Sequence, residues 1–142
     1  MKATELRIGN WCKIVKSPFP EENGEYQIEA ITIHYFESGK DLILEPIPLT
    51  EKWLLKSGFK KEKKKPSKHH GNYFSMWISD YKYSFAYAGF REDWGFYHSY
   101  TDAADERDNN RFDFISCEIK YVHQLQNLYF ALTGEELSYE NN

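Results

Sequence analysis

Cysteine is nearly absent from this chain. Cys12 and Cys117 are the only two in 142 residues, and they stand 105 positions apart. That is no disulfide framework, and nothing in a sequence sets the distance between two Cα atoms, so a bridge between them is not implied. Both read as buried thiols in a reducing compartment. The chain also lacks C-x-x-C and H-E-x-x-H, which removes the usual zinc spacings. No serine is flanked by glycines as in a nucleophile elbow, and no Gly-x-Gly run offers a phosphate cradle. Long apolar runs are missing too, with no window near the roughly 18 residues a bilayer-spanning helix needs. The opening MKATELRIGNW has no apolar core or small-residue cleavage site of a secretory leader, so the chain reads as cytoplasmic. A general excess of positive charge is lacking as well. The formal net charge is −4, which argues against a broad nucleic-acid footprint.

What the chain has in abundance is aromatic surface: ten Phe, eleven Tyr and four Trp, 18% of all residues. Such side chains fill a core with few residues, and the tyrosine hydroxyls favour wet edges. A chain of this length buries roughly 70% of the surface its unfolded form exposes, enough for a core without staples. Charge is unevenly spread. Of the 18 basic residues, 13 lie in residues 1–71, and 12 of the 22 acidic ones lie in residues 72–142. The run 60–70 supplies most of the positive excess.

Periodicity divides the chain. In Leu6 to Val15, Leu6, Ile8, Cys12 and Ile14 share a parity broken at Gly9-Asn10, the pattern of a strand with an early bend or bulge. SPFPEENGE is a loop. Tyr26, Ile28, Ala30 and Thr32 alternate as a second strand, a turn is expected at Glu37 to Lys40, and a short strand at Leu42 to Leu44. Pro46 and Pro48 close this region. Thr50 stands at an N-cap position before a short helix over 51–57, and Gly58 is its natural stop. The lysine-rich run 60–71 reads as a flexible, hydrated linker, since Glu62 alone cannot neutralise it. Beyond it an aromatic meander is expected in 73–100, with a hairpin turn near Ser79 to Lys82, then a polar loop at 101–111 and a last strand in 112–119.

The closing segment predicts an amphipathic helix over about 120–133. Tyr121, Leu125, Leu128 and Leu132 form its apolar stripe, widened by Val122 and Tyr129, with His123, Gln124, Gln126 and Asn127 its solvent face and Gly134 its stop. The expected fold is α+β with six to eight mostly antiparallel strands. It comprises a curled N-terminal meander or partial barrel, a second aromatic-rich meander, a short central helix and a C-terminal amphipathic helix. The expectation is one compact unit of residues 1–142. It divides into a strand-rich part at 4–59 and an aromatic part at 72–137 that includes the last helix, joined by 60–71.

The blocks LRIGNW, EPIPLTEKWLLKSGF and YVHQLQNLYFALTGEEL together resemble a family of small uncharacterised proteins from gut Bacteroidetes and their mobile elements. The resemblance implies a bacterial or phage-like source and an intracellular location. It carries over no activity, cofactor or functional residue.

Several side-chain groups invite chemistry. The five histidines, His34, His69, His70, His98 and His123, lack metal-ligand spacing, so no metal or cofactor is expected. Asp102, Asp105, Glu106, Asp108 and Asp113 are dense but lack the glycine and terminal glutamate of a calcium loop. Catalysis is therefore disfavoured. Lys60, Lys61, Lys63, Lys64, Lys65 and Lys68 beside Tyr73, Trp77, Tyr81 and Tyr83 could neutralise phosphates while rings stack bases, the logic of single-strand binding. That reading stands second, because the run holds no arginine and the chain is net acidic. The first reading is a non-enzymatic protein-interaction or accessory module. It binds another protein or a second copy of the chain, with no membrane partner, through an aromatic surface of Tyr73, Trp77 and Tyr83.

Overall fold

A computed structural model describes residues 1–18, 23–39, 41–61, 73–77, 83–90, 93–101, 110–116 and 119–139; at 73, 77, 83–101 and 110–116 only the backbone is described. After a 3-10 turn at Ala3–Glu5, the elements in chain order are β1 (Trp11–Lys16), β2 (Gly24–Gln27), α1 (Ala30–Glu37), β3 (Ile43–Pro46), α2 (Glu51–Lys56), β4 (Lys60–Lys61), β5 (Tyr73–Trp77), β6 (Tyr83–Phe90), β7 (Asp93–Thr101), β8 (Asn110–Ser116) and α3 (Val122–Thr133). They form two compact units. One is Met1–Leu49 with Lys120–Leu137, and the other is Thr50–Ile119 with Ser138–Asn142. The expected boundary at 60–71 is not where the chain divides. The last helix belongs with the N-terminal sheet, and the short helix with the aromatic strands.

The first unit is built on an antiparallel sheet of order β2-β1-β3. Cys12 faces Tyr26 on one side and Pro46 on the other, and Ile14 faces Gly24 and Leu44. Leu6, Cys12, Ile14, Ile28, Leu42 and Leu44 are buried together, with Tyr26, Ile33, Tyr35 and Phe36 packed against them. At about 1.5–3 kcal/mol for each fully buried aliphatic side chain, this cluster is the unit's main source of stability. The sheet is open at β2 and β3 and closes no barrel.

Two local expectations change here. The strand through Tyr26 stops at Gln27, and the residues read as its continuation wind into α1. The Glu29 amide donates to Thr32 Oγ1 at 3.3 Å, which satisfies a backbone group at the helix start, and Ile31, Ile33 and Phe36 no longer fit a period of two. The turn residues Ser38 and Gly39 then end a helix, with Gly39 at φ +66°. Upstream, the bend expected at Gly9-Asn10 is a tight turn over Arg7 to Asn10, with the Asn10 amide donating to Arg7 O at 3.1 Å, and the strand starts only after it, at Trp11. Ile8, which shares the parity of Leu6, Cys12 and Ile14, is 61% exposed, while Asn10 is fully buried.

In the second unit, β4 to β8 lie in sequence order in a five-stranded antiparallel sheet. The first two lysines of the expected linker are therefore strand: Lys60 pairs with Ser75 and Lys61 with Phe74. Helix α2 buries Trp53 and Leu54, and Gly58 follows at φ +87°, as the sequence predicts. Phe59 and Phe74 are buried in the same unit, and the Trp53 ring meets Tyr139 edge-on at 5.3 Å.

Candidate interaction surface

Helix α3 attaches to the first unit by polar contacts as much as by apolar ones. Val122 and Leu125 are buried, but so are His123 and Gln126, two residues expected on the solvent face. Leu128 is only half-buried and Leu132 is 49% exposed. The buried face is rotated away from the predicted stripe because the Gly9 turn offers backbone groups that need partners. Gln126 Oε1 accepts from the Trp11 amide at 2.8 Å, and Gln126 Nε2 donates to Gly9 O at 3.0 Å. Asn127 Nδ2 donates to Glu5 O at 2.8 Å, and Asn127 Oδ1 accepts from Asn10 Nδ2 at 3.1 Å. Asn10 Oδ1 in turn accepts from the Arg7 amide at 2.8 Å. The Arg7 guanidinium lies 3.6 Å from the centre of the Phe130 ring and pairs with Glu136. The clasp thus joins two sequence blocks more than a hundred residues apart.

A second feature of this unit faces outward. Between β1 and β3 the register shifts, Ile14 facing Leu44 and Lys16 facing Ile43, so Val15 is an extra residue in β1. A bulge of this kind breaks the strict alternation of faces. Cys12 and Ile14 turn inward and Lys13 outward, and then Val15 and Lys16 are both exposed. Val15 (42% exposed) and Ile43 (48%) are the apolar residues exposed on this side, with Lys16 rather than Val15 directly opposite Ile43. Beside them Lys13 stands in register between Glu25 of β2 and Glu45 of β3, and Lys16 Nζ pairs with Asp41 Oδ1 at 2.9 Å. Cross-strand pairs of opposite charge around a small apolar centre make a surface with a polar rim.

The register of the larger sheet redistributes the aromatic residues. Trp77 faces Ser84, Ser75 faces Ala86 and Tyr73 faces Ala88, and Ala86 and Ala88 face Tyr97 and Gly95. Residues directly opposite share a face, so Tyr73 and Trp77 belong to a row of mostly small residues. Tyr83 sits at the other parity, in register with Tyr100. That face also carries Phe74, Met76, Phe85, Tyr87, Phe96 and His98. Tyr73, Trp77 and Tyr83 therefore do not form one surface, because a change of one position in a strand changes its face.

The other candidates separate as well. Lys61 Nζ pairs with Glu51 at 2.9 Å and lies 5.7 Å from the Phe74 ring centre, so its charge is already engaged, and Lys60 is exposed on β4. Lys63, Lys64, Lys65 and Lys68 lie outside the described residues, as do Tyr81, His69, His70, Cys117 and the acidic positions 102–108; Asp113 is a β8 position facing His98. His34 is exposed on α1. Cys12 is fully buried, and burial pushes its thiol up to about 12, which leaves it protonated and unreactive at neutral pH. Among the described residues no three His, Cys, Asp or Glu side chains gather as metal ligands, and no helix is long and apolar enough to cross a membrane.

No family model, no curated protein and no solved structure matches this chain.

Proposed function

We propose that the protein is a non-enzymatic protein-interaction or accessory module, of the bacterial or mobile-element origin that its three sequence blocks suggest. The observation that carries this reading is the exposed outer face of β1 and β3. Val15 and Ile43 stand exposed there while the inner face is already filled, and the bulge after Ile14 brings Lys16 outward to join Lys13, Glu25, Asp41 and Glu45 around them. An exposed valine and isoleucine on one face cost solvation that a partner surface would recover, while the charged rim would fix orientation. The partner is another protein or a second copy of the chain. The row containing Tyr73 and Trp77 supports the same reading from the second unit, as large rigid rings at the first and last positions of β5.

Solution mass measured over a wide concentration range, for the wild type and for Ile43→Lys, tests the proposal beside a titration with short single-stranded DNA and RNA at low and moderate salt. Association that Ile43→Lys abolishes while the circular dichroism is unchanged supports it. A chain that stays monomeric and binds single strands with a steep salt dependence belongs instead to the nucleic-acid reading, with the lysines at 60–68 neutralising phosphates.

A further inference from the structure

His123 is the only histidine of α3, the clasp does not use it, and its setting is unusual. It is the second residue of the helix, 1% exposed, and neither Nδ1 nor Nε2 has a hydrogen-bond partner among the described residues. Its ring stacks on Tyr121, with centroids 5.9 Å apart and planes at 10°. Directly before it lies a short seam. The Leu49 amide donates to Lys120 O at 2.8 Å, the Val122 amide donates to Ile47 O at 3.0 Å, and Pro48 and Tyr121 form an antiparallel bridge between them. The first unit ends at Leu49 and resumes at Lys120, so two of its three connections to the rest of the chain leave from this seam, the third following Leu137.

A neutral imidazole tolerates such a place, at the cost of its unmade hydrogen bonds. An imidazolium does not. It would carry two N–H donors with no acceptor, in a site closed to water, at the helix end where the peptide dipoles already place positive charge. We propose that His123 is an acid-sensitive lock on the seam: protonation expels the ring, and the pairing of 47–49 with 120–122 opens with it.

The charges that act on the ring come from outside its own helix. The Glu5 carboxylate, in the 3-10 turn, favours protonation, and the Met1 amino group opposes it. Burial outweighs the Glu5 attraction and holds the ring below its ordinary value of 6.5. The sign follows from linkage. Below about pH 6.5 the opened or unfolded chain binds a proton that the closed form refuses. The lock is therefore fully closed above that pH. It weakens as pH falls toward the depressed value, by up to about tenfold in the closing equilibrium per pH unit.

The test is an NMR titration of the intact chain from pH 8 to 4.5, following imidazole carbon-bound protons and amide exchange corrected for its intrinsic pH dependence. A free imidazole compound in the same sample serves as the reference, and His123→Gln assigns the His123 resonance. The expected result is a His123 signal that stays neutral below the ordinary histidine midpoint. Protection at the Leu49 and Val122 amides should meanwhile fall by as much as tenfold per pH unit, while the β1–β3 ladder keeps its own. His123→Phe, which keeps a flat ring and cannot ionise, should hold seam protection constant over the same range. An ordinary His123 midpoint with undisturbed seam amides overturns the proposal. Equal loss of protection in the ladder also does, since that is unfolding of the whole unit. If His123→Phe does not fold, the wild-type titration decides alone.

Discussion

Replacing Gln126 by leucine removes the two hydrogen bonds by which it holds the Gly9 turn to α3 while keeping nearly the same volume, and leaves the Asn127 and Arg7 contacts in place. The Trp11 amide loses the acceptor it reaches at 2.8 Å. Gly9 O loses a donor at 3.0 Å but keeps the Gln27 amide nitrogen at 3.2 Å, so it is only partly stranded. A buried polar group left without its partner costs about 1–3 kcal/mol; the Trp11 amide takes most of that and Gly9 O a fraction of it. The leucine returns about 1 kcal/mol through its greater apolar surface. The net loss is about 1 kcal/mol and at most about 2 kcal/mol, a drop of up to about 30-fold in the folding constant, and up to about 8 °C in midpoint for a chain of this size. Urea unfolding followed by circular dichroism measures it, with Leu132→Gln as a control on the exposed side of the same helix. A Gln126→Leu protein within about 0.5 kcal/mol of wild type, with Leu132→Gln costing more, would refute the rotated packing of α3 and return the helix to the Leu125-Leu128-Leu132 stripe.

The packing of α3 has a second check in apolar truncation. Leu125→Ala should cost about 2–5 kcal/mol by emptying a fully buried site, while Leu132→Ala should stay under about 0.5 kcal/mol, both read by denaturant midpoint. Cys12 should resist alkylation at pH 8 in the native chain and react at the rate of a free thiol once unfolded in urea, which mass spectrometry of the Cys12 peptide measures. Rapid native labelling would contradict both its burial and its raised pKa.

Where sequence reasoning succeeded, the governing interactions were local. Helix α2 ends at Gly58 and α3 at Gly134 because each glycine takes a left-handed conformation that other residues resist, and that preference is written in the residue itself. The strands of the aromatic half were legible from alternation alone. The start of α1 was missed because Tyr26 to Thr32 alternates by chance up to the point where Glu29 and Thr32 form a helix start, a device that competes with the strand pattern over only four residues. The outward position of Lys16 carried no signal, since a bulge is defined by its partner strand.

The sequence by itself therefore determined an α+β chain with antiparallel strands, the stops of α2 and α3 at Gly58 and Gly134, and the burial of Leu125. Each of these follows from the conformational preference of a residue or from periodicity within one element. Only the tertiary structure decided that Tyr83 lies on the face opposite Trp77, that His123 and Gln126 are inside, and that the last helix joins the first sheet. Face and burial depend on which segment comes to lie alongside, and the buried amide and carbonyl groups of the Gly9 turn drew Gln126 and Asn127 inward from more than a hundred residues away.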